Sequence, residues 1–451
     1  MSGFISRRLV CPFLTLVLLS VACVARAQEP PPDPTDQSGE VSGDSTSTAG
    51  APPIQVTVAP SARELDAVAV PKAFCDAHEG PCGETVSVVA RDLTLSGFFE
   101  VLPEAGYIAD MARESLKETK WEDWFNVGAK YLIKVKVEAS GGHTVDLDFR
   151  LYDVAQKKNI PVDNQTQKQV DEKELRGAVH KFVNSVIEAI TGMPGFFGGR
   201  LCFAAKTGLA TKGVFSVGLD GYGRRTLAAG DTINMLPSMV GGNALYTSFK
   251  AGKPDIYLNG KRITHDDRAY RGARMSPDGS MIAVSADDGG QSDIFLMSSD
   301  GKIIKNLTNH WADEVSPTWS PDGSMLAFVS SRTGSPQVYV MNRDGSGTRR
   351  VTMAGGYNST PTFGPGGLIV FAGMDEGHSD IFTVDLEGNM TRITQDQGSN
   401  KDPAISPDGR HVAFVSNRGG KTLIWVATID GRYQFPVTEK SLAYSTLYWA
   451  R

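Results

Sequence analysis

The chain has 451 residues, 45 Lys+Arg against 51 Asp+Glu, and 41% hydrophobic residues. That length exceeds what one hydrophobic core serves, so it implies a multidomain protein, and an ordinary apolar fraction excludes wholesale disorder. The net charge is −6, and the first 27 residues hold three arginines and no acid, so the remainder stands at −9. That balance argues against a nucleic-acid partner.

Residues 1–27 read as an export signal. Arg7 and Arg8 form a positive start, Leu9 to Ala25 is mostly apolar, and Ala25-Arg26-Ala27 fits a small-x-small cleavage site. No later segment carries eighteen consecutive apolar residues, so no membrane span is expected after the leader. Residues 28–53 hold six prolines, no aromatic residue and, alanine aside, one aliphatic, Val41. Such a stretch cannot bury a core and is expected to be a disordered tail.

Residues 54–193 read as a small α/β domain. Ile54, Val56 and Val58 alternate with Gln55 and Thr57, a short strand pattern, and Ala67 to Val70 forms a second apolar run. A helix is expected over 84–96, stopped by Gly97. Tyr131, Ile133, Val135 and Val137 alternate with Leu132, Lys134, Lys136 and Glu138, and Val145 to Tyr152 repeats the pattern. These are two half-exposed antiparallel strands joined through Gly141-Gly142. Asp171 with Glu174 forms a capping-box pattern ahead of Leu175, Val179, Phe182, Val186 and Ile190, the spacing of one helical face, which Gly192 ends.

Three cysteines follow the leader: Cys75, Cys82 and Cys202. Cys75 and Cys82 are seven apart, which suits a disulfide in an oxidising compartment. The other arrangement open to them, a metal site with His78, finds only three local ligands. Cys202 lies in an apolar strand pattern and reads as a buried small hydrophobe.

Residues 199–451 carry an internal repeat. Ser276-Pro277-Asp278-Gly279, Ser320-Pro321-Asp322-Gly323, Gly364-Pro365-Gly366-Gly367 and Ser406-Pro407-Asp408-Gly409 recur with proline spacings of 44, 44 and 42. Each precedes an apolar strand, then a second one such as Asp293-Ile294-Phe295-Leu296, then a turn such as Asp300-Gly301, then a strand ending in a threonine pair such as Leu307-Thr308. Two degenerate copies lie upstream, which makes six units. Four-stranded units of this kind bury their faces only by stacking radially, so an all-β six-bladed β-propeller is expected. The first unit lacks an opening strand, and Ser445-Thr446-Leu447-Tyr448-Trp449 aligns with Ser316-Pro317-Thr318-Trp319, which opens another. The C-terminal strand is therefore expected to complete the first blade and close the ring.

Catalytic readings find little support. Gly290-Gln291-Ser292 and Gly377-His378-Ser379 lack the second glycine of a nucleophile elbow and occupy the same repeat position, as blade hairpins would. Asp278, Asp322 and Asp408 read as turn residues, and the seven histidines form no metal-binding pair. No enzyme activity, cofactor or metal is expected. Tyr, Trp and Arg recur in the segments opening each unit, a composition that suits protein interfaces. The candidate partner surface is therefore Arg268, Tyr270, Arg271, Trp311, Asp313, Glu314, Tyr357, Asn358, Asn400, Asp402 and Tyr444. The alternative is a small ligand or cation in the propeller funnel, with Asp313, Glu314 and Asp402 near the axis.

The order of these parts, an export signal, an α/β domain closing on Thr191-Gly192-Met193-Pro194-Gly195, then six units with Trp-Ser-Pro-Asp-Gly steps as at 319–323, resembles the TolB family. Ala67-Val68-Ala69-Val70-Pro71 and Asp92-Leu93 with Ser96-Gly97 and Phe99 are similar to its first strand and helix exit. The resemblance implies a monomeric, non-catalytic scaffold in the periplasm. It implies that the propeller binds the peptidoglycan-associated lipoprotein Pal. Ile54-Gln55-Val56-Thr57-Val58 would engage the inner-membrane protein TolA. It also implies a role in outer-membrane integrity and in envelope constriction at cell division.

Overall fold

The computed structural model describes residues 64–450 apart from 230, 231, 288 and 376. The leader, the tail and the Ile54–Val58 segment lie outside the described residues. Among those described, no helix is long and apolar enough to cross a membrane.

The α/β domain runs β1 (Asp66–Ala69), β2 (Phe74–Asp76), α1 (Glu79–Leu95), β3 (Phe99–Val101), α2 (Trp121–Asn126), β4 (Tyr131–Gly141), β5 (Thr144–Asp153), β6 (Lys158–Ile160), β7 (Thr166–Asp171) and α3 (Leu175–Thr191). Its sheet has the order β3-β1-β4-β5-β6, with β2 on β4 and β7 on β5. β1 pairs parallel to β3 and β4, while β4 and β5 form a long antiparallel hairpin. α1 and α3 cover one face, where Val89, Leu93, Phe182 and Val186 meet Ile133, Val135, Leu147 and Phe149. The Phe149 and Phe182 rings stack 4.2 Å apart.

Three local expectations are corrected. The first helix begins at Glu79, not residue 84, because Pro81 suits a first helical turn and the turn is tied down by Cys82. Asp171 caps a short 3-10 turn through Lys173 N–H at 2.9 Å instead of an α-helical first turn, so the α-helix itself starts at Leu175. The second face of β4 is not solvated. Residues 102–127 fold across it, so Leu132 and Tyr152 join Trp124 in a second small core. Lys134 is fully buried there. Its ammonium reaches Glu114 Oε2 at 2.6 Å, the carbonyls of Ser115 and Glu118, and Thr119 Oγ1. Glu114 Oε1 in turn accepts from Trp124 Nε1 at 2.9 Å. Burial pulls the Lys134 pKa down while Glu114 holds it up.

Cys75 and Cys82 are joined, with Cα atoms 6.0 Å apart, and link β2 to α1. His78 faces Glu172 at 3.6 Å. Cys202 is a buried free thiol whose pKa burial pushes up to about 12, which makes it unreactive. Labelling of denatured, unreduced protein lacking residues 1–27 should count one thiol; a count of three would rule the bridge out.

The propeller has six four-stranded antiparallel sheets. Blade 1 consists of Arg200–Lys206, Lys212–Gly218 and Arg225–Ala228, completed by the C-terminal strand Tyr444–Trp449. Blades 2 to 6 open on the inner strands Asn234–Val240, Ala269–Met275, Glu314–Trp319, Tyr357–Phe363 and Asn400–Ile405. The missing opening strand of the first unit is thus supplied from the far end of the chain, as the repeat alignment requires.

The α/β domain packs on the propeller rim that carries the inner-strand exit turns. Arg410, at the blade 6 turn, donates to the Pro194 carbonyl, and His411 Nε2 lies 3.1 Å from the Ser96 carbonyl. Burial pushes the His411 pKa down to about 4, so the ring is neutral. Gly97 has φ +69°, and a Cβ there would sit 2.5 Å from Thr428 Cγ2, so only glycine permits this approach. Asn184 clamps the connecting segment by donating to the Phe197 carbonyl at 2.8 Å and accepting from its N–H at 3.0 Å.

Candidate functional site

With one rim occupied by the α/β domain, the opposite rim, where the inner strands begin, is open. The strand alternation that builds each blade decides what reaches this rim. Each inner strand shifts register against its neighbour midway. At the shift stands one residue with positive φ: Leu236, Gly272, Ser316, Thr360, Asp402 and Thr446, at +49° to +63°. Five of the six are not glycine, and each of those five holds a conformation costing roughly 1 kcal/mol. Pro237, Pro317, Pro361 and Pro403 follow four of them, where a missing N–H leaves no donor unpaired at the bulge.

These bulges surround a cavity of about 50 Å³ at the axis, lined among others by Ser316, Thr360, Asp402 and Thr446. Burial raises the Asp402 carboxyl pKa, opposed by the Thr446 N–H that it accepts. A space of this size holds a few waters and is far below the roughly 300 Å³ of a small-molecule pocket. Asp313 and Glu314 do not join Asp402 there. Among the described residues no three His, Cys, Asp or Glu side chains gather as a metal site would require.

The rim candidates separate into two groups. Trp311 is 62% exposed and Tyr357 44% exposed, and Asp313 and Arg271 also face solvent. Arg268 is half-buried and pairs with Asp266 at 2.8 Å. Tyr270, Glu314, Asn358, Asn400 and Tyr444 are instead buried, which corrects the expectation of an exposed set. They belong to the inner strands themselves, and their side chains turn into the junctions between blades. Asn358 Nδ2 donates to Gln337 Oε1 at 2.7 Å, and Asn400 Nδ2 to Asp380 Oδ1 at 2.9 Å, each tying a blade to the one before it. Tyr270 donates its hydroxyl to Asp266 at 2.7 Å. Sequence reasoning missed Met374, which is 43% exposed and lies directly opposite Tyr357 in the blade 5 ladder. Only the ladder register brings it to Tyr357, and no local pattern carried that.

The recurrent acids are turn residues. Asp278, Asp322 and Asp408 each accept from the serine two residues before and from the backbone N–H two residues after. These bonds hold the Asp278 carboxyl down at about 2 and lower Asp322 and Asp408 as well. Ser292 opens the third strand of blade 3 and Ser379 is the second residue of the third strand of blade 5, as hairpin residues would be.

Comparison with known proteins agrees with this architecture. The family model for the TolB amino-terminal domain matches residues 54–160, and that for the TolB beta propeller domain matches residues 187–450. The chain is 35% identical over 260 residues to the Tol-Pal system protein TolB of Anaeromyxobacter dehalogenans (strain 2CP-C), covering 53% of this chain and 57% of that protein. It is 33% identical over 239 residues to the protein of the same name from Desulfosudis oleivorans, covering 50% and 52%. The chain thus spans about half the length of the curated relatives it matches. The crystal structure of TolB from Acinetobacter baumannii superposes with a TM-score of 0.72 at 22% identity, over 88% of this chain and 99% of that one, and shares the fold. With the propeller match alone spanning more than half of its length, the chain belongs to the TolB family.

Proposed function

We propose that this chain is a non-catalytic periplasmic scaffold of the Tol-Pal system. In this reading the open propeller rim binds a Pal-like lipoprotein, and the segment Ile54–Val58 engages a TolA-like inner-membrane protein. By holding the two, it maintains the outer membrane and supports envelope constriction at division. The observation that carries the reading is the trio Trp311, Tyr357 and Met374, large apolar side chains exposed on neighbouring blades of the rim that the α/β domain leaves free. Monomeric proteins keep such side chains exposed together chiefly at interaction sites. The relatives named Tol-Pal system protein TolB support the choice of partners.

Calorimetric titration against purified Pal tests it. Trp311→Ala and Tyr357→Ala should each weaken binding by about 2 kcal/mol, roughly thirtyfold. Lys302→Ala, in an exposed turn on the opposite rim, should change nothing. Tyr270→Ala, with its ring buried, should lower stability instead. Unchanged affinity in both rim variants would move the Pal site off this face. A chain lacking residues 28–58 should keep Pal binding and lose TolA binding; retained TolA affinity would sink the second half of the proposal.

A further inference from the structure

The junctions entering blades 4 and 6 are built alike, with two substitutions of chemistry between them: Glu314 stands in the place of Asn400, and Asn306 in the place of Arg392, which pairs with Asp380 Oδ2. In blade 6, Asn400 accepts through Oδ1 from Arg418 Nη2 at 3.2 Å, and Arg418 Nε donates to Ser416 Oγ. Asn400 Nδ2 then donates to Asp380 Oδ1, which also accepts from Thr394 Oγ1 at 2.6 Å. In blade 4 the same offsets give Arg332, Ser330 and Thr308 around Glu314, and Asp293 stands one residue further upstream than Asp380 does. Glu314 Oε1 lies 3.1 Å from Arg332 Nη2 and accepts from Ser330 Oγ at 2.8 Å, while Arg332 Nε donates to Ser330 Oγ. Asp293 Oδ1 accepts from Thr308 Oγ1 at 2.8 Å and Asp293 Oδ2 from Asn306 at 3.2 Å. Where Asn400 has an amide N–H, Glu314 has Oε2, which is buried and has no hydrogen-bond partner.

We propose that Glu314 carries a proton in the folded chain and donates it across the blade 3 to blade 4 junction to Asp293, forming a proton-dependent latch beneath the loop that presents Trp311. A carboxylic acid offers one acceptor and one donor, the two roles that the Asn400 amide fills. Ionised, it would set two buried carboxylates against each other across the junction, with Arg332 alone to offset them. Of the other titratable residues described beside it, His310 and Asp313 supply no further cation or donor. His310 Nδ1, 3.9 Å from Glu314 Oε1, accepts from the Ala312 N–H, and burial and then Arg332 lower its pKa, which disfavours the charged ring. Asp313 points away and accepts from the Ser292 N–H at 2.9 Å. Burial, with Asp293 adding to it, pushes the Glu314 carboxyl up to about 7 against an ordinary 4.5.

The latch lies at the base of the rim loop. Glu314 follows Asp313 directly, and the Gln291 amide and Ser292 N–H of blade 3 hold the His310 carbonyl and Asp313 on either side of Trp311. Loss of the proton to solvent would loosen blade 3 from blade 4 where this loop is anchored. Its bearing on partner capture rests on the docking face proposed above, but the latch itself is tested without any partner.

The test compares unfolding of the full chain with that of Glu314→Gln. A carboxyl raised on folding stabilises fully below its unfolded value and loses that contribution as pH rises through the folded one, a window from 4.5 to about 7. Gln reproduces the protonated form at every pH. The two proteins should match near about pH 5, and the variant should gain roughly tenfold to a hundredfold in folding equilibrium by about pH 8. Other titrating groups are common to both and cancel in the ratio. Asn400→Asp should create an alkaline loss at the blade 6 junction too, smaller because Arg392 there pairs with Asp380. Infrared spectra of wild-type protein labelled in its glutamates should show a protonated carboxyl band near neutral pH that Glu314→Gln lacks. Parallel pH profiles, absence of that band, or a Glu314→Gln chain that fails to fold would each overturn the proposal.

Discussion

A chain ending at Ala443 should fail to close its ring. The deletion removes the inner strand of blade 1, with Tyr444, Leu447 and Trp449 all buried in the main core. At about 1.5–3 kcal/mol for each of the three large side chains, the loss is about 5–9 kcal/mol. That is comparable with the whole stability of a typical domain, about 5–15 kcal/mol. The effect spreads past the seam. The Arg274 guanidinium lies 5.1 Å over the Tyr448 ring, and Phe196, in the segment joining the two domains, meets Trp449 edge-on at 6.3 Å. The strand Arg200–Lys206, now buried and paired on both sides, would become an open edge and a template for aggregation. Scanning calorimetry and soluble yield of the truncated and full chains measure this. A melting temperature within a few degrees of the full chain would show that the seam strand is dispensable.

Asp220→Asn should be the most damaging single change at the domain interface. Asp220 sits in a blade 1 turn and meets two α3 side chains, Arg176 at 2.6 Å and His180 Nε2 at 3.4 Å. His180 Nδ1 is 2.6 Å from Asp92 on α1, and Arg176 reaches Glu84 at 3.0 Å. Burial raises Asp220, but His180, the Tyr222 N–H and Arg176 outweigh it and hold the carboxyl well below the usual range. Burial lowers His180, but its two carboxylate partners outweigh that and carry it up to about 9. Burial raises Asp92 to about 6. Removing the Asp220 charge leaves buried Arg176 and His180 short of a partner, a loss of about 3–5 kcal/mol. The pH signs differ between the groups. The Asp220 contribution is present above its ordinary 3.8 and lost as pH falls through its depressed folded value. The His180 contribution is complete below its ordinary 6.5 and lost as pH rises through about 9. Wild-type stability should therefore decline between those alkaline limits, and Asp220→Asn should flatten that decline while lowering the plateau. Denaturant unfolding across the range measures both, and separate transitions for the two domains in the variant would report their uncoupling. A cost below about 1 kcal/mol would mean that the interface holds without the charge network.

The repeat was legible in the chain because its signals are local. Ser-Pro-Asp-Gly is a four-residue turn whose aspartate bonds within two residues, so Asp278, Asp322 and Asp408 carry their role wherever the blades sit. Blade number follows from counting the repeat units, two of them degenerate and without this turn, and ring closure from finding the one missing strand at the far end. Alternation of period two also marked Tyr131–Val137 and Val145–Leu151 as strands, but it could not say what covers their other face. Lys134 read as solvated because its partner Glu114 lies twenty residues away in a segment with no periodic pattern. The same limit governed the rim. Glu314, Asn358 and Asn400 are polar residues beside exposed loops, and nothing in a short window distinguishes them from Trp311 or Tyr357. What buries Asn358 and Asn400 are Gln337 and Asp380, each about twenty residues upstream on the preceding blade, and the Asp293 charge of the preceding blade acts on Glu314. Those pairings exist only once neighbouring sheets stack and a buried polar group must find its partner across the junction. The sequence alone therefore settled the architecture, whose turns and strand patterns are short-range. The tertiary structure alone decided which polar side chains face a partner and which hold the blades together, because that depends on contacts made between sheets.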